Sequence, residues 1–457
     1  MLPAERVHMK VLLLAYEFPP APSPQSLRWA RLSRELVRLG HQVDALSVVR
    51  GEEPRPLPVP PGVRVFRTPG GAATGMLSLL RGEPLEACAD TPPVDALQPG
   101  VDGAVEILGS GVASLAPPLN WKGRLVGRAL RPIDCAIGHF TFPDREGQWE
   151  LPARARLRAL LSRLQPDVVI SSHEPATTLR LGRLAKEAGY PWLVDMGDPV
   201  LSFYTPARWR RLAGRIESWT CANADHVLVT TEAARSLLRS RYALAESRVS
   251  VLSQGFDPPG AVPADVPLPV QFEPGLLELV YTGSFYTFRN GMPLVEAVAR
   301  TPGTRLTVAT RTPPEWLLQA ADRHPDALRL AGFMTQPQAV ALQRGADVLV
   351  NVANSDPVHV PGKFYEYLGA GRPILHLGEM EGDAAAELLR TRQRGLVVPN
   401  TTAAIAGALD SLAHRKRGGG LDPSFELGPE SVAQYSWRAL GSALAGVLAR
   451  IHGARQA

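Results

Sequence analysis

Pro361-Gly362-Lys363-Phe364-Tyr365-Glu366-Tyr367-Leu368-Gly369-Ala370-Gly371-Arg372-Pro373-Ile374-Leu375 is the stretch on which the fold turns. Ahead of it runs Asp347-Val348-Leu349-Val350-Asn351-Val352, an apolar run with the length of a buried strand. Pro361 and Gly362 mark a loop, and Phe364 and Leu368, four apart, share one face of a short helix. Gly369 to Gly371 stops that helix, and Arg372 to Leu377 opens the next strand. This order places Lys363 and Glu366 in a first helical turn at the carboxyl end of a parallel strand. Free backbone N–H groups and the positive end of the helix dipole receive anions there, phosphate above all. The lysine adds a formal charge, and the glutamate can accept hydrogen bonds from sugar hydroxyls. The segment reads as a nucleotide site.

Working outward, the same alternation of strand and helix runs through the chain. Strands are predicted at Lys10–Ala15, Gln42–Val48, Val63–Arg67, Asp167–Ser171, Trp192–Asp195, His226–Thr230 and Val249–Leu252. Six more follow at Glu278–Tyr281, Arg305–Thr310, Ala327–Leu330, Asp347–Val352, Pro373–Leu377 and Gly395–Val398. Helical patterns between most neighbours imply an α/β chain with two parallel sheets and right-handed crossovers. With 457 residues the chain is long enough for two full cores. The expected division is 1–257, a Pro-rich linker at 258–274, a second domain at 275–429, and a last helix within 430–457. Residues 70–140, rich in Gly, Pro and Ala, interrupt the first pattern.

Composition removes several classes. At 45% hydrophobic and 20% charged residues the chain is globular, not disordered. Cys88, Cys135 and Cys221 are scattered, without metal-ligand spacing or a disulfide framework, which points to a reducing cytoplasm. The apolar run Val11 to Ala15 is too short for a signal peptide and reads as a first strand. Residues 1–8 read as an extension before Met9. Residues 1–250 hold 31 basic and 25 acidic side chains, against 18 and 19 in the remainder. Arginines concentrate at 28–38, 154–163 and 208–215, where they serve either an anionic membrane surface or phosphate-bearing acceptor, or simply a solvated helix face. Nucleic acid is disfavoured, because aromatics are not interleaved with these arginines.

The opening segment resembles the Lys-x-x-Glu-Tyr-x-x-x-Gly-x-Pro signature of family-4 (group 1) retaining glycosyltransferases, in particular those that build bacterial cell-surface polysaccharides. Further stretches resemble that family in order: 16–43 (YEFPP…LRWARLSRELVRLGHQV), 142–149 (FPDREGQW), 167–178 (DVVISSHEPATT), 192–199 (WLVDMGDP), 224–238 (ADHVLVTTEAARSLL) and 249–257 (VSVLSQGFD). They continue at 277–291 (LELVYTGSFYTFRNG), 330–352 (LAGFMTQPQAVALQRGADVLVNV) and 435–444 (YSWRALGSAL). The resemblance implies the GT-B fold, two Rossmann-like parallel-sheet domains facing across a cleft. The first would bind the acceptor and the second a nucleotide-sugar donor, with the last helix crossing back to the first.

On that resemblance, Gly283 lets donor phosphate approach the backbone, followed by Ser284 where many relatives carry a basic residue. Arg289, six residues on, stands where many relatives have a lysine on the diphosphate; its alternative is a solvated loop arginine. Lys363 would share that charge, and Glu366 would bind the ribose or else complement the helix dipole. The family's partner glutamate would fall at Val358, so this chain departs from the pattern there. His173 would contact the transferred sugar or be a packed bystander. Asp198 would accept the acceptor's proton or form a turn before Pro199, with Asp195 as its fallback. The loop after the first strand has prolines in place of the family's glycines, leaving Ser23, Gln25 or Arg28 to meet the acceptor. No cofactor or metal is expected, since no Asp-x-Asp motif and no His/Cys cluster stands out. The expected partners are a nucleotide-sugar donor and a glycan or lipid-linked acceptor. The expected place is the cytoplasm, with peripheral contact at the inner membrane surface left open. A nucleotide-sugar epimerase and a non-catalytic nucleotide-binding subunit are the alternatives weighed.

Overall fold

The computed structural model describes residues 8–49, 53, 56–71, 145–202, 205–258, 260, 266–285, 289–354, 356, 358–378, 380–421 and 425–456. The expectations for residues 1–7, for most of 70–140, and for Cys88 and Cys135 lie outside them. The described residues group into two compact units. One comprises Met1–Val229, Leu237–Val251 and Gly441–Ala457; the other comprises Thr230–Ser236 and Leu252–Leu440.

The first unit is built on β1 (Lys10–Leu14), α1 (Pro24–Arg38), β2 (Gln42–Val48), β3 (Val63–Thr68), α2 (Glu150–Leu164), β4 (Val168–His173), α3 (Thr177–Glu187), β5 (Trp192–Met196), α4 (Arg210–Asn223), β6 (His226–Val229), α5 (Glu232–Tyr242) and β7 (Val249–Val251). Its seven strands are all parallel, in the order β3-β2-β1-β4-β5-β6-β7. Leu12, Leu14, Leu46 and Phe66 on the strands meet Trp149, Leu157 and Leu160 in one buried layer. The apolar runs dictate this, since a sheet covered on both faces tolerates near-continuous hydrophobic strands. Local chemistry sets the helix starts. Ser23 caps α1, its side chain accepting from the Ser26 N–H, and Pro24 occupies the first turn, where its missing donor costs nothing.

The second unit adds β8 (Leu277–Thr282), α6 (Met292–Arg300), β9 (Thr304–Ala309), α7 (Glu315–Arg323), β10 (Leu328–Leu330), α8 (Gln336–Gly345), β11 (Val348–Val352), α9 (Gly362–Ala370), β12 (Ile374–Leu377), α10 (Ala384–Arg392), β13 (Gly395–Val398) and α11 (Thr402–Arg417). Its six strands are also parallel, ordered β10-β9-β8-β11-β12-β13. Two apolar layers cover the sheet: Leu279, Leu294, Val308, Val350 and Leu409 on one face, Val280, Leu349, Phe364, Leu368 and Leu389 on the other. Thr335 and Gln338 form a reciprocal capping box at the start of α8. Gly371 ends α9 with φ +68°, a left-handed conformation natural to glycine. The last helix, α12 (Trp437–Gln456), runs from one unit's residues into the other's.

Both sheets change direction of strand order once. The first does so between β1 and β4, the second between β8 and β11. Loops leaving the carboxyl ends of such a pair diverge, and the crevice they leave is where ligands bind in open parallel sheets.

Candidate functional site

At the switch point of the second sheet, β8 ends in Thr282 and the chain turns at Gly283, whose φ of +142° strongly favours glycine. The Gly283 N–H donates to the Ala309 carbonyl (3.0 Å). The Thr282 N–H donates to the Tyr367 hydroxyl (2.8 Å), which burial holds above the usual phenol range and therefore neutral. Beyond the turn, Arg289 Nη2 donates to Asn354 Oδ1 at 2.6 Å and Nε to the same oxygen at 3.2 Å. Arg289 also reaches the Ser284 carbonyl at 3.4 Å, so Ser284 contributes backbone there. Asn354 Nδ2 in turn donates to the His359 carbonyl (3.2 Å). One guanidinium from the loop after β8 is thus held by an amide from the loop after β11.

Lys363 lies in the first turn of α9, as its Pro-Gly lead predicts, but Glu366 lies in the second, because the helix already starts at Gly362. The dipole alternative for Glu366 therefore fails. Lys363 Nζ instead donates to Glu366 Oε2 at 2.8 Å, with Gln343 Nε2 at 3.3 Å from the same oxygen. Gln343 also donates to Thr282 Oγ1 (3.1 Å), which ties Glu366 back to the end of β8. The Lys363 side chain is 39% exposed and that of Glu366 only 11%. Val358, standing where the resemblance puts a glutamate, offers backbone alone: its carbonyl accepts from Thr231 Oγ1 (2.7 Å) and its N–H donates to Asp356 Oδ1 (2.9 Å). Nearby, Asn351, His376 and Asp383 form a buried chain, with His376 Nε2 at 2.9 Å from Asp383 Oδ2. Burial pushes the Asp383 carboxyl up. The His376 hydrogen bond and charge and two amides of α10 outweigh it and hold the carboxyl below its usual range.

At the switch point of the first sheet there is an open cavity of about 390 Å³. Tyr16 and Glu17 line it from the end of β1, His173 to Ala176 from the end of β4, and Pro199 and Val200 from the end of β5; Glu146, Thr205, Pro206, Trp209 and Ala213 also line it. His173 is the last residue of β4, not the loop residue its motif suggests, and it is 5% exposed. Its Nδ1 is buried without a hydrogen-bond partner. Gln25 Nε2 donates to the His173 carbonyl (2.6 Å) and to Ser172 Oγ (2.7 Å). The role foreseen for Gln25 on a ligand is thus spent on holding the strand end. Asp198 sits half-buried in the bend after β5 and is not among the cavity-lining residues.

Three sequence candidates have structural roles instead. Asp195 is fully buried, receiving Arg28 Nε at 2.8 Å and Nη2 at 2.9 Å, which removes both the fallback base and one acceptor contact. Ser23 caps α1. Much of the arginine excess is also used locally: Arg34 and Arg38 pair with Glu35, and Arg156 and Arg163 lie over the Phe66 ring. Arg208, Arg211 and Arg215 are exposed. Asn354, Glu17, Glu146 and Glu174 escaped the sequence reading. Glu174 stood beside a flagged histidine, and Glu17 followed the first strand, so position alone could have found those two. Among the described residues no three His, Cys, Asp or Glu side chains are grouped to hold a metal ion, and no helix is long and apolar enough to cross a membrane.

Two parallel sheets of this order, each with its constellation at the switch point, define the GT-B fold class. Residues 104–255 match the model of a Glycosyl transferase 4-like domain. A sucrose-phosphate synthase from Thermosynechococcus elongatus is similar with a TM-score of 0.64 at 15% identity, over 98% of this chain and 100% of that one. HepE of Anabaena, solved in complex with UDP-glucose, is similar with a TM-score of 0.57 at 13% identity, over 97% and 100%. A structure from E. coli described as trehalose-6-phosphate bound with UDP-2-fluoro glucose gives 0.56 at 12% identity, over 96% and 98%. At such identities these likenesses concern the fold. No curated protein sequence matches the chain.

Proposed function

We propose that this chain is a glycosyltransferase that moves a sugar from a nucleotide-sugar donor to a hydroxyl of a glycan or lipid-linked acceptor, with retention of anomeric configuration. The observation that carries the reading is the switch point of the second sheet, where Gly283, the Arg289–Asn354 pair and the Lys363–Glu366 pair meet. The donor's diphosphate takes Arg289 and Lys363 as counter-charges, and Glu366 accepts from ribose hydroxyls. As the glycosidic bond to the diphosphate breaks through an oxocarbenium-like state, fixed positive charge on the departing phosphate lowers the barrier most. The acceptor hydroxyl attacks from the same face, and its proton passes to the leaving phosphate oxygen. His173 holds a hydroxyl of the transferred sugar, and Asp198 orients the acceptor. No metal is needed in this scheme, because lysine, arginine and a helix terminus supply the charge. The proposed place of action is the cytoplasmic face of the inner membrane, with the exposed Arg208, Arg211 and Arg215 toward anionic lipid.

Thermal unfolding with UDP, GDP, ADP, TDP and CDP tests the donor site. A ligand that binds only the folded state raises its stability by mass action. One of these nucleotides should raise the melting temperature of the wild type and fail to do so for Lys363→Ala. The matching nucleotide sugar should then be turned over, slowly by water alone, and NMR of the first-formed product fixes the anomer. Nucleotide binding without any turnover would favour the non-catalytic subunit.

A further inference from the structure

The loops after β9 and β10 carry a cation that the donor's diphosphate does not use. Arg311 follows β9 and Phe333 follows β10, so both stand at the carboxyl ends of strands on one side of β8. The Gly283 N–H donates to the Ala309 carbonyl (3.0 Å) and the Ala331 N–H to the Val308 carbonyl (2.9 Å), which ties the ends of β8, β9 and β10 together. Neighbouring strands lie about 5 Å apart, so Arg311 and Phe333 are within a nucleoside's length of the turn at Gly283. Ala309, two residues before Arg311, and Met334, directly after Phe333, pack in the same apolar layer as Phe364 and Leu368 of α9. That helix carries Lys363 and Glu366. Arg311 is exposed, and its guanidinium carbon lies 4.1 Å from the centre of the Phe333 ring. The ring anchors the cation, and among the described residues the guanidinium makes no hydrogen bond or ion pair. A surface arginine that merely shields a phenylalanine from water is the plain reading; its place beside the donor site argues for more.

On the reading proposed above, we infer that Arg311 reads the donor's base and selects one with a carbonyl edge: uracil, thymine or guanine over cytosine or adenine. With the diphosphate on Arg289 and Lys363 and the ribose on Glu366, the base is the part of the donor left for the loops after β9 and β10. A guanidinium only donates hydrogen bonds, and it presents them as a planar fork. Guanine offers that fork O6 and N7 as paired acceptors, and uracil and thymine offer O4. Adenine and cytosine carry an amino donor at the corresponding place. Donor would then face donor, so the wrong base is rejected by a lost bond as well as the right one being held.

Calorimetric titration of the full chain with UDP, GDP, TDP, ADP, CDP and inorganic pyrophosphate tests this. The tightest nucleotide should carry a carbonyl edge. Its amino counterpart (CDP for UDP or TDP, ADP for GDP) should bind about tenfold more weakly, the worth of one good base contact. Arg311→Gln puts an amide that both donates and accepts in place of the fork. It should melt as the wild type does, bring the two nucleotides close to equal affinity, and leave pyrophosphate binding unchanged. ADP or CDP as the tightest ligand, an affinity ratio unaltered in Arg311→Gln, or a matching loss of pyrophosphate would overturn the inference. Lys363→Ala should instead weaken every nucleotide and pyrophosphate alike, so a failure of base selection is told apart from a failure of the donor site. No binding by any nucleotide would remove the donor site and this inference with it.

Discussion

Two aspartates three residues apart show how burial separates roles that sequence leaves together. Asp195 lies at the end of a strand with its carboxylate fully buried on Arg28, whereas Asp198 lies in a half-buried bend. Removing one partner of a buried pair leaves an uncompensated charge, which costs roughly 3–5 kcal/mol. Asp195→Ala should therefore lower the melting temperature sharply, while Asp198→Asn should melt near the wild type and lose turnover. Urea unfolding of both variants checks the first expectation and an activity assay the second. Asn354 supports a finer test. Its amide oxygen receives Arg289 twice without cancelling the charge. Asn354→Asp would keep the contacts and supply a counter-charge, so affinity for the nucleoside diphosphate should fall about tenfold, the worth of roughly 1.4 kcal/mol. Calorimetric titration reads this directly, and unchanged affinity would remove Arg289 from the donor site. Lys363 and Arg289 were legible in the sequence because charge beside a glycine turn is a local signal. Asn354 was not, because its meaning depends on a partner 65 residues away.

Among elements, the strands were the easiest to read. All thirteen predicted strands are present, with no end displaced by more than two residues, since a fully buried parallel strand must be apolar nearly throughout. Helix starts were harder, and the one-turn error at Glu366 arose because Gly362, a residue with poor helix propensity, already belongs to α9. What no local pattern discloses is close approach between elements. Gly441 on α12 is an example: a Cβ there would come within 2.3 Å of Glu35 Cβ on α1. Both groups belong to the first unit, and nothing in the helical sequence marks that glycine as special. Overpacking of this kind costs about 1–3 kcal/mol. Gly441→Ala should thus be destabilised, although alanine is intrinsically the better helix former, whereas Gly453→Ala, with open space around it, should be neutral or slightly stabilised. Thermal unfolding of the two variants separates the cases.

Over the whole molecule, charge and pH act through a few buried groups more than through the net balance. His226 on β6 is held down to about 4, first by burial and then by the charges of Arg450 and Arg248. The unfolded chain takes up a proton near the ordinary histidine range, and the native protein does not until about pH 4. Stability should therefore be full above about pH 6.5 and decline as the pH falls toward 4. His226→Gln should flatten that decline, as measured by melting temperature from pH 7 to 4.5. Below that range Asp383 acts in the same direction, since its carboxyl is held low in the folded state and must be protonated as acid rises.

One feature of α12 reaches beyond equilibrium. Its residues from Gly441 onward count among the first unit, and Leu444, Leu448 and Ile451 on it are buried. A ribosome makes the chain from the other end, at a rate that lets an ordinary leading domain close while the rest is still being made. Here the leading unit waits for residues that are translated after the entire second unit. Until they emerge, its apolar seat for α12 stands open in a crowded cell, a natural landing place for chaperones. A message cut short within the codons of α12 would yield a chain whose first-made half never finishes folding.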